Sequence, residues 1–166
     1  DAGPVGLGYI ALARKKPDEA LKIFSDSLDN NPGMSRFKET TLGKLEALIE
    51  VGKLDEALKL AQETSGDKTF RGESAGKALL LMAKTYRKQA EKATGDAKRD
   101  LLAQADGVYK KVALAYQSFP DVCAEGYWQD IEVLKELGEK EKADEMLKAL
   151  REHPKLKNTE RAKQAK

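Results

Sequence analysis

Apolar residues recur along this chain every three to four positions, with charged and polar residues filling the remainder of each turn. Leu45, Leu48 and Ile49 are followed by Leu54, Ala57, Leu58 and Ala61, the spacing of helices that bury one face. No segment shows the period of two that a half-buried strand requires. The pattern predicts eight helices, over about 4–15, 17–30, 34–51, 54–65, 71–94, 97–117, 121–137 and 140–152. The punctuation agrees. Pro17 suits a first helical turn, and Asp18 and Glu19 follow at the positive end of the helix dipole. Asn31-Pro32-Gly33 ends one pair, Gly52 and Gly138 mark tight turns, and Gly95-Asp96 reads as C-cap then N-cap. Turns this short make successive helices antiparallel neighbours.

A small-then-large pattern repeats across the helix pairs. Ala20-x3-Phe24 returns as Ala57-x3-Ala61, Ala105-x3-Tyr109 and Ala143-x3-Leu147, with the leading alanines 37, 48 and 38 residues apart. An alanine where two helices cross keeps them close, and the large residue one turn later fills the space toward the next helix. One pair alone leaves too much apolar surface in water, so stacked pairs must supply the core. The expected organisation is a repeat domain over 1–153, in units of about 1–33, 34–70, 71–120 and 121–153. A basic, polar C-terminal tail over 154–166 follows, with Leu156, Ala162 and Ala165 as its only apolar anchors and a solvated end helix as its expected state.

The residues that carry these repeats resemble the tetratricopeptide repeat signature. Leu7, Gly8, Ala20, Phe24 and Pro32 stand at its usual spacing. Gly52, Ala57 and Leu58 echo it in the second unit, Ala83, Tyr86, Ala105 and Tyr109 in the third, and Gly138, Ala143 and Leu147, closing at His153-Pro154, in the fourth. The chain departs from the pattern at Ala11 and Ala61, where the family prefers larger side chains, and in the elongated third pair. The resemblance implies an all-α, right-handed superhelix (a solenoid) of about four helix pairs. Tyr109, Tyr116, Phe119-Pro120 and Ala124 are also similar to repeats of bacterial envelope proteins, such as outer-membrane assembly lipoproteins and the coordinator of the Tol–Pal system. That similarity leaves the bacterial periplasm or cell envelope, or the cytoplasm, as the expected compartment.

Composition narrows the function. Charged residues make up 35% of the 166 and aromatics only 6%, which suits a surface-rich helical protein. A net charge of +2 gives no global field that would select nucleic acid or membrane. Residues 151–166 hold six Lys/Arg against two Glu, with no aromatic interleaved for base stacking, so no nucleic-acid partner is expected. No apolar run reaches the length of a membrane span. The sequence starts at Asp1 without Met and reads as a processed or excised fragment that lacks any targeting segment. Cys123 is the single cysteine, so neither an intrachain disulfide nor a multi-Cys metal site arises.

Catalytic and metal motifs give way to simpler readings. Gly72-Glu73-Ser74-Ala75-Gly76 matches G-x-S-x-G, which would make Ser74 the nucleophile of a hydrolase. That chemistry needs a strand-to-helix turn and a histidine partner, and the one histidine, His153, sits beside a proline near the basic end. Asp29-x-Asn31-x-Gly33 lacks the spacing and the later Glu of a calcium loop. No phosphate loop of the G-x4-GK[ST] form occurs. The expectation is a protein that is not an enzyme and has no cofactor or metal.

In tetratricopeptide arrays the first helix of each pair lines a concave groove. Carried over by position, the resemblance gives Tyr9 and Leu12 from the first unit, and Leu42, Glu46, Ile49 and Glu50 from the second. It gives Lys84, Arg87 and Lys88 from the third, and Trp128 and Glu132 from the fourth. Val5 and Tyr9 stand where the family's carboxylate clamp wants Lys and Asn, which argues against recognition of a C-terminal carboxylate. The expected function is a non-catalytic scaffold that docks a peptide or protein segment on the concave face. The alternative is a structural module that self-associates through the N-terminal end, where Gly3, Gly6 and Gly8 make a poor cap.

Overall fold

The computed structural model describes residues 3–165. Among them lie nine helices and no strand: α1 (Pro4–Ala13), α2 (Pro17–Asn30), α3 (Phe37–Val51), α4 (Leu54–Gly66), α5 (Glu73–Glu91), α6 (Gly95–Ala115), α7 (Pro120–Glu136), α8 (Lys140–Glu152) and α9 (Glu160–Gln164). The eight expected helices are all present. The third starts at Phe37 because the chain turns twice first, with Met34 N–H bonded to the Asn31 carbonyl and Phe37 N–H to that of Met34. The expected caps at Gly95-Asp96 shift by a residue or two. Thr94 takes the N-cap position of α6, Gly95 is left-handed at φ 57° and Asp96 lies within the first turn.

The chain packs as two compact units, Asp1–Phe70 and Arg71–Lys166. In the first, α1 pairs with α2, α3 lies against both, and α4 folds back on α3. The leading alanines behave as their size requires: Ala20, Ala57 and Ala105 are fully buried, and Ala143 nearly so. Phe24 is also fully buried. Its ring lies between two glycines on neighbouring helices. A Cβ at Gly8 of α1 would fall 2.5 Å from it, and one at Gly43 of α3 would fall 2.4 Å away. The large residue of this repeat therefore fits only because both facing positions have no side chain.

In the second unit α5 pairs with α6, α7 packs on both, and α8 and α9 pack on α7. Tyr109 of α6 joins Ala83, Ala105 and Val133 in one part of the core. A second part gathers Cys123, Tyr127, Ile131 and Leu134 of α7 with Ala143 and Leu150 of α8. Leu156, Ala162 and Ala165 complete that second cluster and are almost wholly buried. The expectation of a solvated end is corrected at these apolar anchors, which are docked rather than in water, while most residues around them stay exposed. The face that α7 and α8 leave open needs cover, and these three side chains supply it. Thr159 caps α9 by accepting the Ala162 N–H at 3.3 Å, and Arg151 donates to the Ala165 carbonyl.

Three pairs close with the same left-handed turn. Gly52 N–H bonds to Ile49 O at 3.1 Å and Lys53 N–H to Leu48 O at 2.9 Å; Gly138 and Glu139 repeat this with Lys135 and Leu134. Between α1 and α2 the same bonds run from Lys15 and Lys16 to Leu12 and Ala11, but the left-handed residue is Lys15, at φ 58°. A residue with a Cβ costs about 1–2 kcal/mol there, while glycine adds entropy to the unfolded chain. Lys15→Gly is expected to raise unfolding stability by about 0.5–1 kcal/mol. An unchanged or lower midpoint in urea would show that the turn is unstrained.

Candidate partner-binding faces

The first unit carries its expected site residues on α1 and α3. Tyr9 is partly exposed, and its phenol donates to the Glu39 carbonyl at 2.9 Å. Its ring stands edge-on to Phe24 with centroids 5.2 Å apart. Burial, then the charges of Glu46 and Glu39, push the Tyr9 phenol up to about 12, against the pull of Arg36. This hydroxyl is a fixed neutral donor beside a negative patch. Glu39 is itself paired with Arg36 at 2.5 Å. Leu12 is half-buried against the Phe24 cluster, Glu46 is half-buried and Glu50 exposed. Leu42 and Ile49 are different. They are 8% and 3% exposed, so they serve the core and offer almost no area to a partner. On a tightly packed helix such as α3, whose turn from Thr40 to Gly43 is wholly buried, apolar positions at the edge of the exposed stripe turn inward.

The second unit places Lys84, Arg87 and Lys88 on α5, and Trp128 and Glu132 on α7. Arg87 reaches across to α7. Its Nε donates to Glu136 Oε1 at 2.9 Å and its Nη1 to Gln129 Oε1 at 2.8 Å. Gln129 Nε2 donates to Glu125 Oε1 at 2.8 Å. Arg161 of α9 then closes on Glu125 through Nε at 2.6 Å and Nη2 at 3.1 Å. The result is a continuous polar ladder, Glu136–Arg87–Gln129–Glu125–Arg161, that ties three helices along one face. Beside it the Arg161 guanidinium lies over the Trp128 ring, 5.2 Å from its centroid, and Trp128 is half-buried against the α7–α8 core. Lys88 pairs with Glu91 at 3.3 Å, and Glu132 with Lys135 at 2.9 Å. Pairs this exposed contribute about 0–1 kcal/mol each, so a partner could exchange them at low cost.

Sequence reasoning missed Glu125, Gln129, Glu136 and Arg161. Three of these were within reach, because Glu125, Gln129, Glu132 and Glu136 recur at the three- and four-residue spacing of one face of α7. Arg161 gave no such signal, since its position depends on how α9 docks.

The other candidates have structural roles. Gly72 to Gly76 runs from a turn into α5, with no strand before it, and Ser74 Oγ donates to the Arg71 carbonyl at 3.0 Å. His153 Nδ1 accepts the Lys155 N–H at 3.2 Å, and its ring stands edge-on to Tyr127. Cys123 is buried, donates to the Ala113 carbonyl at 3.1 Å, and has its thiol pushed up to about 11 by burial, which leaves it unreactive at neutral pH. Among the described residues no three His, Cys, Asp or Glu side chains converge as metal ligands, and no helix is long and apolar enough to cross a membrane.

This architecture is similar to that of a tetratricopeptide repeat protein. The chain superimposes on the crystal structure of a thermophilic TPR protein from Thermus thermophilus with a TM-score of 0.71, at 23% identity, over 87% of this chain and 70% of that one. No protein-family model matches the sequence, and no curated protein matches it. The likeness establishes an all-α TPR-like repeat fold.

Proposed function

We propose that this protein is a non-catalytic scaffold that docks a peptide or protein segment on the first helices of its pairs. The observation that carries this reading is the ladder on α5 and α7 with Trp128 beside it. Tryptophan and arginine dominate the energies of protein interfaces, and here both are held in place before any partner arrives, which lowers the entropy cost of binding. The α1–α3 face would contribute Tyr9 and Leu12 as anchors, with Glu46 and Glu50 for basic groups. Lys84 and Lys88 on α5 would meet acidic ones. Each face would thus select its segment by complementary charge. The hydrolase reading of Ser74 loses support because its hydroxyl is engaged in a helix-entry turn.

A second reading draws on α1 itself. Leu7 and Ile10 are 50% and 40% exposed, and no charged residue lies between Pro4 and Ala13. That uncharged face would suit self-association.

One experiment separates the readings: affinity capture with the tagged wild type and with a folded Glu46→Lys/Lys88→Glu/Glu132→Lys variant, untagged chain being present in both. A partner held by the wild type and lost by the variant is the expected result. A partner held equally by both would refute these faces. Recovery of the untagged chain alone by both baits would favour self-association through α1.

A further inference from the structure

Asp130 is the one fully buried carboxyl group among the described residues, and neither of its oxygens has a hydrogen-bond donor facing it. It sits on α7 against α6. Its interacting neighbour on α6 is another carboxyl, Asp106, which is already held by Lys110 Nζ at 3.0 and 3.2 Å. Two ionised carboxylates are both acceptors and cannot bond to each other. A single proton changes this, because a protonated Asp130 donates to the Asp106 carboxylate, which Lys110 already balances. We propose that Asp130 and Asp106 form a proton-sharing pair, a latch that holds α7 against α6 and loosens when the proton leaves.

The geometry gives the latch a function. Gly126, one turn before Asp130, lies so close to α6 that a Cβ there would fall 2.8 Å from the Ala113 nitrogen. The helices meet closely there, so repulsion between two carboxylates acts against the approach of α7 to α6. Helix α7 carries Trp128, Gln129 and Glu132, so the pH of the surroundings would set the order of the α7 face.

The charged surroundings are simple. From α6, Asp106 and Lys110 act on Asp130, and Tyr109 lies near enough to feel its charge. Arg87 of α5 and Arg161 of α9 bond to Gln129, Glu136 and Glu125, and Arg87, Glu125 and Glu136 act on the same Tyr109. Toward α7, α8 presents Ala143, Met146, Leu147 and Leu150. Burial first, then the hydrogen bond and charge of Asp106, hold the Asp130 carboxyl well above the ordinary carboxylate range, against the pull of Lys110.

The sign follows from proton binding. An unfolded aspartate loses its proton near about pH 3.9, while the folded protein keeps this one to higher pH. Across that interval the folded state binds more protons, so stability falls as pH rises and levels off once Asp130 ionises in the folded state too.

The test is a carboxyl-carbon NMR titration of the whole chain labelled at aspartate, with Asp130 assigned by its loss in Asp130→Asn. The latch predicts that Asp130 titrates well above the exposed aspartates. It also predicts that alkaline pH speeds hydrogen exchange in α7 of the wild type relative to Asp130→Asn at the same pH, since the asparagine amide donates to Asp106 at every pH. Titration of Asp130 together with the exposed aspartates would overturn the proposal, as would α7 exchange that rises equally in both proteins. If Asp130→Asn fails to fold, Asp106→Asn serves: its amide donates to Asp130, so the Asp130 titration should fall toward the ordinary range, and no shift would refute the pair.

Discussion

Phe24→Ala is expected to destabilise the protein by about 3–5 kcal/mol, at the upper end for a buried aromatic. Such costs vary with how well the surroundings collapse into the space left behind. Here the ring is bounded by Gly8 and Gly43, which have no side chains to lean inward, so collapse would require α1 and α3 to move together. Small domains are stable by only about 5–15 kcal/mol, and the loss would consume much of that. Urea unfolding followed by circular dichroism measures it, and a loss below about 1.5 kcal/mol would mean that the helices do close up. The cause is checked by a double-mutant cycle. Gly43→Ala should be costly alone, where its Cβ would strike the ring, and much less costly in a Phe24→Leu background. Purely additive losses would mean that the contact does not govern the site.

Gly126→Val is expected to cost about 3 kcal/mol or more. Besides the Val112 Cγ1 at 3.0 Å, a Cβ would meet the Ala113 nitrogen at 2.8 Å and the Tyr109 carbonyl oxygen at 3.1 Å, two atoms that decide the cost. Both are backbone atoms of α6, which cannot change rotamer to make room. Gly107, also on α6, provides the contrast: a Cβ there has nothing within 4 Å. Gly107→Ala should stabilise by about 1 kcal/mol through helix propensity alone. If both glycine substitutions moved the urea midpoint in the same direction, the close approach of α6 and α7 would not be what Gly126 is for.

Much of the candidate site was legible because helical periodicity places residues on a face. Tyr9, Arg87, Lys88, Trp128 and Glu132 lie on the first helices of their pairs and keep some exposure. Leu42 and Ile49 fell on the same stripe by position, yet they turn into the core. A leucine or isoleucine at the edge of a stripe reads the same whether it faces a partner or its own chain. The ladder from Glu136 to Arg161 was beyond position arguments, since it joins residues on α5, α7 and α9.

That the chain is helical, where its pairs turn, and which small residues let the helices approach could all be read from the order of residues. Those properties are local: the spacing of apolar positions, the prolines and glycines, and the alanine of each repeat act within a few turns of chain. What distant residues do to one another emerged with the packed fold. Packing set Phe24 between two glycines, brought Leu156, Ala162 and Ala165 over the open end of α7 and α8, and placed Asp130 against Asp106 with no donor between them. Each depends on the distance between separate helices, and a run of residues does not encode that distance until the whole core is packed.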